Sequence, residues 1–158
     1  MRYSTSLKTS GYELKFYIRK LDQSPEHLEI KYLGIIVMFL PCSESSVSPI
    51  KSITNTMLVD GIEQLARYLE NHICSLSHNP AFKSGVFLTY GDVFQIQALG
   101  GELHSDSEGV FSIQCMVNVG NPTNQPFSTY LGGEAVITIK DANKFVEDLR
   151  GIVAELRS

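Results

Sequence analysis

The stretch YLGGEAVITIKDANKFVEDLRGIVAEL, Tyr130 to Leu156, decides the class of fold. Up to Ile139 it is rich in β-branched and aromatic residues, and the pair Gly132-Gly133 marks a bulge candidate, so this part reads as a strand. From Asp141 the period changes. Phe145, Val146, Leu149, Ile152, Val153 and Leu156 recur at helical spacing and lay one apolar stripe along a helix over about 141–157. Asp141 reads as the cap, while Arg150 and Arg157 suit the negative end of the helix dipole. A strand that feeds directly into a one-sided helix needs a sheet for that helix to cover.

The same device stands upstream. Met57-Leu58-Val59-Asp60 leads into a second amphipathic helix over about 60–76, with Asp60 as cap, Glu63 at the capping-box position, and Ile62, Leu65, Ala66, Leu69 and Ile73 as its stripe. A duplicated unit would explain the likeness, but recurrent use of one capping device is the expected reading. Between the helices, Val86–Tyr90, Val93–Leu99 and Val110–Val119 read as strands separated by Gly91-Asp92, and by Gly100-Gly101 with the Ser105–Gly109 turn. Before the first helix, alternation from Gly11 to Leu40 around the turn cluster Leu21–Glu26 predicts a hairpin. Its second strand becomes apolar on both faces from Gly34 to Leu40, as a central strand does. Cys42–Lys51 is a polar loop, and a short strand around Ile53–Val59 follows it.

These elements define one α+β domain over 1–158: a mostly antiparallel sheet of about six to eight strands with both helices packed on it. At 158 residues with 43% apolar and 19% charged content, one core is expected and disorder is not. Met1 to Lys20 has no apolar segment of the signal-peptide kind. Cys42, Cys74 and Cys115 form no CxxC pair and read as a reduced set, so a cytoplasmic protein is expected.

The net charge is −4, and its distribution is uneven. Ser84 to Ile139 holds no Lys or Arg, yet carries Asp92, Glu102, Asp106, Glu108 and Glu134. Six cations precede Leu33: Arg2, Lys8, Lys15, Arg19, Lys20 and Lys31. Glu102, His104, Asp106 and Glu108 alternate, so an extended backbone would set all four on one face. With Asp92 they form the candidate partner-binding set, an acidic surface that steers a basic protein.

Other chemistry finds little footing. His72 and Cys74 would point about 200° apart on a helix, and His78 follows its end, so no metal site is expected there; the set reads as a buried Cys74 between surface histidines. No Gly-x-Ser-x-Gly elbow occurs, and neither Gly-Gly pair opens a helix as a phosphate cradle does. No catalytic residue and no cofactor is expected. The first hairpin carries Lys15, Arg19, Lys20 and Lys31, but Tyr12, Phe16 and Tyr32 fall on its core parity, which argues against nucleic acid. No apolar run has the length of a membrane span.

The order in the second half, Val110–Val119, then Ala135–Asp141, then the Phe145–Leu156 stripe, resembles the layout of small bacterial immunity proteins such as the WapI type, which neutralise polymorphic toxins. The resemblance spans about half the chain. It implies a cytoplasmic, non-enzymatic inhibitor that presents an acidic surface to a basic toxin. Two other functions fit the same elements: a secretion- or assembly-type chaperone that forms a homodimer through apolar surface, and a small-molecule-binding domain with a pocket between sheet and helices.

Overall fold

The computed structural model describes residues 2–21, 32–89, 91–105, 107–121 and 127–158. Among these residues, nine strands and two helices follow in the order β1 (Arg2–Lys8), β2 (Tyr12–Lys20), β3 (Tyr32–Pro41), β4 (Ile50–Lys51), β5 (Asn55–Leu58), α1 (Val59–Leu76), β6 (Phe87–Leu88), β7 (Phe94–Leu103), β8 (Gly109–Gly120), β9 (Thr129–Thr138) and α2 (Ile139–Arg157). The α+β class with antiparallel strands is as expected. The strands divide into two sheets, β1-β2-β3 with β4 and β5 sharing the far edge of β3, and β6-β7-β8-β9.

Each sheet ends in a strand that runs straight into a helix, so the chain is an architectural repeat, contrary to the expectation of one shared capping device. The residues preceding the helices have nearly the same backbone, Leu58 at φ −80°, ψ 150° and Thr138 at φ −79°, ψ 149°. Buried positions then recur eighty residues apart, the separation between Glu70 and Arg150: Val59 with Ile139, Ile62 with Ala142, Leu65 with Phe145, Ala66 with Val146, Leu69 with Leu149, His72 with Ile152 and Leu76 with Leu156. Apart from two leucine pairs the side chains differ, so the repeat shows in backbone and burial and not in the sequence.

The caps also differ from expectation. Thr138, and not Asp141, caps α2. Its hydroxyl accepts from the Asp141 N–H (3.0 Å) and donates to the Asp141 carboxylate (2.6 Å), so the cap and the third helical residue hold each other. Leu58 precedes α1 with no side-chain cap, and Asp60 lies inside the first turn, where it still favours the dipole.

Each helix reaches the other repeat's sheet. The Tyr68 hydroxyl on α1 donates to Gly85 O (2.8 Å) and accepts from the Ala98 N–H (2.9 Å) on β7. Eighty residues on, Asp148 of α2 accepts from Thr5 Oγ1 on β1 (3.3 Å). Between the sheets lies one core. Phe16 from β2 meets Phe94 from β7 edge-on at 5.2 Å and Phe145 from α2 at 5.2 Å, joining both sheets and a helix.

Two further readings change. Gly132 and Gly133 pair in regular register with Met116 and Cys115; the bulges fall between Ala98 and Gly101 on β7 and between Asn118 and Gly120 on β8. β1 had no counterpart in the sequence reading, because only Leu7 marks its inner side as apolar. Tyr3, Thr5 and Leu7 face inward while Arg2, Ser4 and Lys8 face out.

Candidate functional site

The outer face of the second sheet is built in rows across its strands. Leu88, Gln95, Met116 and Gly132 form one row, Gln97, Gln114 and Glu134 the next, then Ser112 with Val136, and finally Glu102, Val110 and Thr138. The inward parity (Phe94, Ile96, Phe111, Ile113, Cys115, Val117) fills the core, which forces these residues outward. Leu88, Val110 and Val136 are exposed to solvent among carboxylates and amides.

Of the five candidate residues, the four described do not gather at one place on this face. Asp92 precedes β7 and Glu102 lies near its other end, so the ten-residue strand holds them roughly 30 Å apart at ~3.3 Å per residue. Asp92 sits in a left-handed conformation (φ 51°) beside Gly91, and its carbonyl accepts from Asn118 Nδ2 at 2.8 Å. Beyond Leu103 the chain turns: the His104 and Ser105 N–H groups both donate to Glu108 O, at 2.9 and 3.1 Å. His104 and Glu108 stand opposite each other at the base of this hairpin turn, next after the pair Leu103 and Gly109, and both are exposed. Asp106 lies outside the described residues. Glu134, which the sequence placed only in the cation-free stretch, stands midway along the edge strand β9, on the outer face.

Every ion pair among the described residues lies on the helices. Arg150 grips Glu70 (Nη2–Oε2 2.6 Å, Nε–Oε1 3.0 Å), Arg157 bridges Asp60 (2.9 Å) and Glu63 (2.6 Å), and Glu63 also takes Arg67 (2.7 Å). The paired guanidiniums hold the Glu63 carboxyl below its ordinary range. Among the described residues, no charge on either outer sheet face belongs to such a pair.

The outer face of the first sheet has the opposite sign. Arg2 and Lys8 from β1, Lys15 and Arg19 from β2 and Lys51 from β4 project there, with Glu13 as the acid among them. Tyr17 (40% exposed) and Tyr32 (39%) stand on the same side, and the Lys15 ammonium lies 5.5 Å from the Tyr17 ring centre. Tyr32 was expected on the core parity. Both parities of β3 are apolar beyond Gly34, so alternation could not choose; pairing with β2, Tyr17 opposite Ile36, sets Leu33, Ile35, Val37 and Phe39 inward.

The residues expected to be chemically inert divide differently from the sequence reading. Cys74 is exposed, and His72 is wholly buried. The Leu99 carbonyl can only accept, so His72 Nε2 carries the proton toward it (2.9 Å), and Nδ1 accepts from the Ser84 hydroxyl (2.9 Å). Its ring packs on Phe82 and Phe111. Burial lowers its pKa from 6.5, partly opposed by the Leu99 bond. The unfolded chain therefore takes up a proton that the folded one refuses. Stability from neutral His72 is complete above about pH 6.5 and is lost as pH falls toward the depressed folded value, by at most about 1.4 kcal/mol per pH unit. Urea midpoints between pH 7 and 5 should fall more steeply for the wild type than for His72→Gln; equal slopes would place the acid sensitivity elsewhere.

Cys115 is buried against the Tyr12 hydroxyl, and burial pushes its thiol up to about 12. Tyr12 donates instead to Ile113 O at 2.9 Å, and its own pKa is raised, chiefly by burial. Among the described residues no three His, Cys, Asp or Glu side chains come together to hold a metal ion. No described helix is long and apolar enough to cross a membrane.

No protein-family model and no curated protein matches the chain. Among solved structures it is similar to that of the plant transcriptional regulator PBF-2, at 12% sequence identity and a TM-score of 0.47, over 99% of this chain and 83% of that one.

Proposed function

We propose that the chain is a non-enzymatic protein-binding module that docks a basic partner on the outer face of the β6–β9 sheet, in the manner of an immunity-type inhibitor. The supporting observation is the make-up of that face: Glu102 and Glu134 among exposed Leu88, Val110 and Val136, bordered by amides, on a sheet without one Lys or Arg. Apolar side chains give such a surface something to bury, and unopposed carboxylates steer a cationic partner toward it. The candidate set thereby shifts from the hairpin tip to the sheet. Glu102 stays within it, Glu134 joins it, and Asp92, at the far end of β7, drops out.

The test is a capture experiment with the wild type, the double variant Glu102→Lys/Glu134→Lys, and a control, Lys15→Glu/Lys51→Glu, on the opposite sheet. A basic protein should be retained by the wild type and the control. Association with the double variant should slow by about tenfold or more at low salt, a difference that shrinks as ionic strength rises. Retention that is indifferent to both salt and the double substitution would discard the proposal.

A further inference from the structure

We infer that the depression beside Arg2 and Arg19, on the outer face of the first sheet, is a binding site for a small anion carried on a flat apolar body: a carboxylate or phosphate monoester of an aromatic ring. The inference is independent of the docking face, which belongs to the other sheet.

Arg2 and Arg19 are direct cross-strand partners on β1 and β2 and project to the same side. Directly opposed residues stand roughly 5 Å apart at Cβ, and like charges so placed repel. Neither guanidinium has an ion-pair partner among the described residues. Two forks held this close form a ready seat for one anion that accepts from both, and arginine suits planar, two-pronged recognition of carboxylate and phosphate.

The rest of the depression is not built for a bare ion. It encloses about 360 Å³, and beyond the arginines its wall is Tyr3, Tyr17, Ile18, Ile36 and Thr54. Gly34, opposite Arg19 on β3, leaves the floor without a side chain. That volume lies at the small end of ligand pockets, which combine mainly apolar walls with a few convergent polar groups. Inorganic phosphate would leave the aromatic and aliphatic wall unused. A neutral ring would leave the arginines unpaired.

Phenyl phosphate and benzoate are the probes, with inorganic phosphate and benzyl alcohol each supplying one half of the chemistry. Amide chemical shifts would be followed by NMR for the wild type, Arg19→Gln and Gly34→Val, with thermal midpoints to verify folding. At least one aryl anion should bind ten times more tightly than either half-probe, moving amides of β1 to β3. Arg19→Gln should weaken it tenfold without loss of thermal stability, since the substitution removes a repulsion. Gly34→Val should do the same without changing charge: a Cβ there meets the Leu21 side chain, Cδ2 at 3.3 Å and Cγ at 3.9 Å, and the Arg19 carbonyl at 3.8 Å. Should that variant fold poorly, Arg2→Gln, on an exposed strand end, takes its place. The tighter of the two aryl anions identifies the head group. Equal affinity for phenyl phosphate and inorganic phosphate, no binding of either aryl anion, or affinity untouched in folded variants would overturn the site. Glu102→Lys/Glu134→Lys should leave the aryl anion's affinity unchanged, which separates failure here from failure of the docking proposal.

Discussion

Phe16→Ala is expected to lower folding stability by about 3–5 kcal/mol, measured as a shift in the urea midpoint with an unchanged slope. Phe16 is 1% exposed, and its ring is the common neighbour of Phe94 and Phe145. Truncation removes the transfer energy of the ring and opens a cavity where three elements meet, none of which can close the gap without tilting away from another partner. Both repeats should unfold together. Two separate transitions would mean that each sheet with its helix has a core of its own, contrary to the single buried cluster seen here.

The second large effect sets two adjacent glycines against each other. A Cβ on Gly132 would collide with the Cys115 carbonyl oxygen and lie 2.7 Å from Met116 Cα, both backbone atoms of β8. A Cβ on Gly133 would meet the Phe39 ring at 3.6 Å, an ordinary contact. Gly132→Ala should therefore cost about 2–3 kcal/mol, because β9 must shift against β8 to make room. Gly133→Ala should be neutral, or stabilising by up to about 1 kcal/mol through the lost freedom of the unfolded chain. Thermal unfolding of the two variants side by side decides the matter; equal effects would mean that the β8–β9 register around Cys115 is not as described.

Much of the fold was legible because burial follows simple periods. The stripes of α1 and α2 and the alternation of β2, β7 and β8 each imply a face, and the structure uses those faces. The partition into two sheets was not legible. Nothing in a strand's own pattern says which neighbours it pairs with, and β1 hid behind Ser4, Thr5 and Ser6, whose parity is silent about burial. His72 and Cys74 exchanged roles because α1 packs on the second sheet: position 72 points to Phe111 on β8 and to Phe82 in the segment before β6, which no local pattern displays. Of the site, the lopsided charge was readable as a total over segments. Its distribution was not, since a carboxylate's place depends on where the chain turns and on which strands pair, and the length of β7 holds Asp92 far from Glu102.

Glu70 and Arg150 occupy corresponding places on the two helices and hold each other. In an assembly of two identical subunits related by a twofold axis, corresponding positions carry the same residue, so a contact between them would set like beside like. Joining both halves in one polypeptide lifts that restriction. Each half can then specialise: one helix supplies the acid and the other the base, and one sheet gathers arginine and lysine while its counterpart sheds them. The molecule thus owns a front and a back that no symmetric dimer of either half could possess.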